Sequence, residues 1–209
     1  MSGLKNGIKN PLRTVYHACL SFASRGVDRE LAQRNLNRGL GTFRWFTPQE
    51  ATIAAALGKI IVPSDDETPG LDDIDVLGPS AIETLDKLLL KDLYRQELYA
   101  RGLLAFDRWA AWKHGRPFVE LTETNQADML RQAQLYSEKL AAASRPARAW
   151  QKIHGVVRAS RGALFAAQLY PEIRNDCMRI FYTSRVSWVW LEYDGPPMDE
   201  GYPKLQPRR

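Results

Sequence analysis

Six carboxylates crowd one short stretch of the chain: Asp65, Asp66, Glu67, Asp72, Asp73 and Asp75. Clustered oxygens raise the question of calcium, which takes six or more of them at set positions. The spacing fits no EF-hand loop. These acids read instead as solvated loop residues, some near helix N-termini where the dipole favours negative charge. The histidines His17, His114 and His154 are scattered, with none four residues from another or beside a Cys-x-x-Cys. Neither a metal motif nor a covalent haem motif is present. Cys19 and Cys177 lack ligand spacing and read as small buried apolar residues rather than a disulfide. There is no glycine-rich dinucleotide fingerprint and no Gly-x-Ser-x-Gly elbow. From these residues we assemble no catalytic, cofactor-binding or metal site. The remaining chemistry is aromatic. Phe181, Tyr182, Trp188, Trp190 and Tyr193 fall within thirteen positions. Trp and Tyr are favoured as interface anchors, so the expected site is a partner interface. The alternative is that these rings close the chain's own core.

The elements that must carry this site are helices. Thr47 is an N-cap, Pro48 occupies the first helical position and Glu50 completes a capping box. Ile53, Leu57, Ile60 and Ile61 then recur at helical spacing, and Pro63 stops the helix. Ser80 with Glu83 predicts a second capping box, with Ile82, Leu85, Leu88 and Leu89 as the buried stripe. Asp92 caps a third helix running to Gly115, with bulk from Leu93, Leu98, Leu104, Trp109 and Trp112. Thr122 starts a fourth, bearing Met129, Leu130, Ala133 and Tyr136. A further piece opens at Ser144-Arg145-Pro146 and carries Trp150, Ile153 and Val157. Next, Ala163 to Tyr170 is apolar, Pro171 breaks or kinks it, and Glu172 to Tyr182 resumes. No stretch shows sustained period-two alternation. The expected fold is all-α, an irregular multi-helix bundle with a basic N-terminal arm and an aromatic, Pro-rich C-terminal tail.

Charge divides the chain. Residues 1–45 hold eight Lys/Arg against Asp28 and Glu30, a net of +6 against +5 for the whole chain, so the basic character belongs to the arm. Such an arm suits nucleic acid or an anionic membrane, the alternative function for this chain. Few aromatic residues stand there for stacking, Tyr16, Phe22 and Phe43 among them, which favours an arm lying along a partner protein. No run approaches the roughly 18 apolar residues of a membrane-spanning helix. Val15 to Ala23 is too short and too polar for a secretory signal. Work outside the cytoplasm would therefore require leaving with a partner that carries the signal. The domain reading is an arm over 1–45, a helical domain over 46–203 and a basic tail over 204–209.

Over roughly residues 46–203 the sequence resembles the gluconate 2-dehydrogenase subunit 3 family. The resemblance is carried by "FTPQEA", "IIVPSDDETPG", "HGRPFVELTETNQADML" and "FYTSRVSWVWLEYDGPPMDEGYP", in that order and spacing. It implies a small subunit with no cofactor of its own, clamped on a large FAD-dependent flavoprotein of the glucose-methanol-choline type. That complex oxidises CH–OH groups of sugars or alcohols, often passing electrons to a haem c-bearing cytochrome c subunit. The implied role is assembly, stability and sometimes export of the catalytic subunit. The location is then periplasmic by co-export, or cytoplasmic where the partner lacks a signal. Two features depart from many relatives: a basic arm replaces the twin-arginine signal, and the end lacks a Gly-Asn-Arg pattern.

Overall fold

The computed structural model describes residues 43–76, 79–142 and 162–193. The expectations placed on residues 1–42, on His17, His154 and Cys19, on the helical piece after Ser144 and on the tail beyond Tyr193 lie outside these. Among the described residues there are six α-helices and no strand, as the sequence predicts. They are α1 (Pro48–Ile61), α2 (Ala81–Leu89), α3 (Leu93–His114), α4 (Glu123–Ala142), α5 (Ala163–Tyr182) and α6 (Arg185–Trp190). Two 3-10 turns, Leu71–Val76 and Phe118–Glu120, join α1 to α2 and α3 to α4.

The helix starts follow local chemistry. Thr47 Oγ1 accepts from Glu50 N at 3.3 Å, and Thr47 N donates back to Glu50 Oε2 at 2.9 Å. This is the reciprocal box expected, and it is buried. Asp92 caps α3 by accepting from Arg95 N at 3.1 Å, and Thr122 caps α4 by accepting from Asn125 N at 3.4 Å. Ser80 accepts from Glu83 N at 3.0 Å, but the return bond of a full capping box is not made. The α3 C-terminus closes on Gly115 at φ 72°, a left-handed conformation that L side chains disfavour.

Helix α5 is the centre of the bundle, packing along both α3 and α4, while α1 and α2 cover its remaining side. Its stripe of Ala166, Leu169, Ile173, Cys177, Ile180 and Phe181 is buried. Pro171 does not break the helix. The missing N–H removes the bond to the Ala167 carbonyl, costing about 3 kcal/mol in an isolated helix. Burial of that stripe on either side outweighs the loss. Close approach of α3 to α5 depends on Gly102, where a Cβ would stand 2.4 Å from Leu169 Cβ.

Several side chains sit elsewhere than expected. Leu93 and Trp112, expected to supply bulk to the core, are exposed, Leu93 at 81%, because both are out of helical phase with the face of α3 that carries Tyr99, Leu103, Phe106 and Ala110. They occupy its first and last turns, where neighbouring elements give little cover. Ile60 and Ile61 are half-buried at the end of α1, whereas Ile53 and Leu57 lie in the core. Trp45, counted with the basic arm by charge, is built into the body at 1% exposure, as is Phe46.

Candidate partner interface

Asp86, buried on α2, is the acceptor that fixes the entry of the chain into the bundle. Its Oδ2 accepts from Arg44 N at 2.8 Å, and its Oδ1 accepts from Trp45 N at 2.9 Å and Phe46 N at 2.8 Å. A carboxylate satisfying three backbone donors in a dry site holds that segment firmly. The rings of Trp45 and Phe46 then pack edge to face, with centroids 4.9 Å apart. Asp107 makes a second tie, accepting from Gln49 Nε2 at 2.5 Å and Phe118 N at 2.9 Å. It joins α1, α3 and the second 3-10 turn.

Asp176 on α5 makes the third. The Arg95 guanidinium and the Tyr99 hydroxyl, at 2.5 Å, both donate to its Oδ2, and Arg179 stands 3.5 Å from its Oδ1. Arg95 also lies 3.8 Å from Glu172 and 5.9 Å from the centre of the Tyr99 ring. Burial, then the Asp176 carboxylate, pushes the Tyr99 phenol upward, so it stays a donor. Burial first and Asp176 second push the neighbouring Cys177 thiol up to about 12. That thiol is free and inert at neutral pH. These three carboxylates are occupied in tying the chain's own segments together.

The acidic stretch is likewise engaged locally. Asp65 Oδ1 accepts from Glu67 N at 2.9 Å, Thr68 N at 2.7 Å and Thr68 Oγ1 at 2.8 Å. These bonds, the Thr68 hydroxyl first, hold its carboxyl below the usual range. Asp73 accepts from Gly70 N at 2.6 Å. Among the described residues no three His, Cys, Asp or Glu converge as metal ligands. His114 lies on the last turn of α3.

The aromatic run divides. The helix carrying it ends at Thr183, whose hydroxyl donates to the Arg179 carbonyl at 2.8 Å. Ser184 then caps α6, accepting from Ser187 N at 3.3 Å, while the buried Ser187 returns its hydroxyl to the Ser184 carbonyl at 3.0 Å. Phe181 falls on the buried stripe of α5 and belongs to the core, not to a surface. Trp188 is half-buried: its indole N–H donates to the Tyr182 carbonyl at 2.8 Å, and its ring meets Tyr193 edge-on at 6.1 Å. Tyr182, Trp190 and Tyr193 stay exposed, each between 42 and 49%. Two residues that the ring count overlooked join them: Val189 at 67% and Leu191 at 49%. Their signal lay in a six-residue helix with too few positions to bury both faces. The result is an apolar ledge on α6 and the end of α5, held by the Ser184 cap and the Trp188 bond. A chain's single exposed apolar residues need no explanation, but a contiguous group marks an interaction surface.

Among the described residues no helix is long and apolar enough to cross a membrane. No curated protein and no solved structure matches the chain. The family model described as gluconate 2-dehydrogenase subunit 3 matches residues 48–195, which spans every described helix from α1 to α6. The chain belongs to the gluconate 2-dehydrogenase subunit 3 family.

Proposed function

We propose that the chain is a non-catalytic small subunit that binds and stabilises a large FAD-dependent dehydrogenase of the glucose-methanol-choline type. That partner would oxidise CH–OH groups of a sugar or alcohol and hand electrons to a cytochrome c subunit carrying haem c. The observation that carries this reading is the ledge of Tyr182, Val189, Trp190, Leu191 and Tyr193, an apolar surface on the corner between two helices. Membership of a family named for a dehydrogenase subunit supplies the kind of partner. The carboxylates Asp86, Asp107 and Asp176 support a structural role, since each accepts hydrogen bonds from donors of this chain. Binding only the folded flavoprotein raises its stability by mass action, by about 2.7 kcal/mol at a hundredfold excess over Kd. Where the partner carries an export signal the complex is periplasmic; where it does not, the complex is cytoplasmic.

Co-expression tests this. The flavoprotein produced with the chain should show higher soluble yield and FAD content than the flavoprotein alone. Equal yield, FAD content and activity in both would refute the role. Turnover of sugars with a dye acceptor by the purified chain alone would refute its non-catalytic nature.

A further inference from the structure

The ledge is too small to hold a partner by itself. At exposures of 42–67%, its five side chains, of about 150–250 Å² each, offer no more than about 500 Å². A stable interface takes about 800 Å² from each partner. The footprint of a partner seated on the ledge therefore runs onto neighbouring surface, and beside α6 that surface is a groove. It lies between α2, the first 3-10 turn and the start of α6, with a volume of about 340 Å³. Ile74 and Ile180 are buried at its floor, while Val186, Trp188 and Thr84 form half-buried walls. Two residues join groove to ledge. Trp188 lines the groove, and its ring meets the Tyr193 ring of the ledge edge-on at 6.1 Å. Arg185 also lines the groove and stands one turn before Val189 on the same face of α6. Arg185 is exposed and pairs with no acid among the described residues, whereas Arg95 and Arg179 both stand at Asp176.

We infer that the flavoprotein meets this chain with a segment carrying a large apolar side chain beside a carboxylate. The side chain fills the groove and the carboxylate pairs with Arg185, so the partner straddles α6 from groove to ledge. The inference rests on the reading that the chain binds a flavoprotein through the ledge. The lining selects these two groups. An apolar side chain leaves water against Ile74, Ile180 and Trp188, and the guanidinium offers a planar fork that matches a carboxylate. A basic segment would be repelled by Arg185, and a neutral one would leave that cation without an anion. The volume stands at the small end of binding clefts, which suits one or two side chains and not a whole folded element.

Titration of the co-expressed flavoprotein with full-length variants of the chain tests the inference. Arg185→Glu should raise Kd at least about tenfold, and Arg185→Lys, which keeps the charge, by less than about threefold. Thr84→Phe places a ring in the groove from α2 and should also raise Kd at least about tenfold. Native affinity in either Arg185→Glu or Thr84→Phe, with affinity lost in Val189→Asp/Leu191→Asp, overturns the inference and leaves the ledge reading intact. Native affinity in all of these variants overturns the ledge reading as well. A second readout leaves the groove's shape nearly unchanged. In a Cys19→Ser background, maleimide labelling of Thr84→Cys should slow at least about fivefold when the flavoprotein is saturating. An unchanged labelling rate in that complex overturns the occupation of the groove. Protection that grows with the concentration of the chain alone also overturns it, in favour of a second copy.

Discussion

Replacing Asp86 by Ala should be the most damaging single polar change in the described bundle. The carboxylate is buried and accepts three backbone N–H groups at 2.8–2.9 Å from residues about forty positions earlier. Hydrogen bonds to a charged group contribute about 1.5–3 kcal/mol each, and an orphaned buried donor costs about 1–3 kcal/mol. The Arg44 N–H can return to water, because that residue is exposed. The N–H groups of Trp45 and Phe46 cannot without withdrawing both rings from the core. Counting only those two donors gives a loss of roughly 4 kcal/mol. Against a domain stability of about 5–15 kcal/mol this is a large fraction. With an m-value of about 2 kcal/mol/M, the urea midpoint should fall by about 2 M. Asp86→Asn keeps the shape and one acceptor, and should lose about half as much. The assay is equilibrium urea unfolding followed by tryptophan fluorescence. A shift below about 0.5 M for Asp86→Ala would show that the carboxylate does not anchor the entry of the chain.

Other expectations concern backbone fit, proton linkage and the thiol. Gly102→Ala should destabilise by about 1–3 kcal/mol, because the new methyl meets the Leu169 side chain and α3 must move away from α5. Gly115→Ala should cost about 1 kcal/mol in the same unfolding assay. There the added methyl meets nothing within 4 Å, and the left-handed φ of 72° alone sets the penalty. Cys177 should make stability fall with alkali. Its folded pKa of about 12 stands above the ordinary thiol value of 9.0. Between those values the unfolded chain releases the proton and the folded chain keeps it, so unfolding is favoured as pH rises. Urea midpoints taken across that range should decline less steeply for Cys177→Ala than for the native chain. Maleimide should reach Cys177 only when the protein unfolds.

Much of this architecture is legible in short-range chemistry. The box of Thr47 and Glu50, the Asp92 cap and the glycine at 115 each act within four residues, so their side chains alone announce them. The ties made by Asp86, Asp107 and Asp176 are not legible. The donors they tie across the fold are backbone groups or side chains from 11 to 81 positions away, and nothing local marks an acid as their acceptor. The same limit hides the purpose of Gly102, whose small size matters only because Leu169 crosses it. At the candidate interface the density of rings marks the corner formed by α6 and the end of α5. It could not separate Phe181, which continues the buried stripe of α5, from Trp190, which lies beyond the turn at Thr183 and Ser184. It also passed over Val189 and Leu191, because aliphatic exposure depends on what fails to pack against a helix.

The ledge offers the most direct test of the account. In Val189→Asp/Leu191→Asp both substitutions fall on exposed positions, so the chain's own unfolding free energy should stay within about 0.5 kcal/mol of native. Affinity for the flavoprotein, read by titration of the purified subunits, should drop by at least 30-fold, as expected for a loss of about 2 kcal/mol or more at an interface centre. An unchanged Kd for that variant, with the fold intact, would contradict the account.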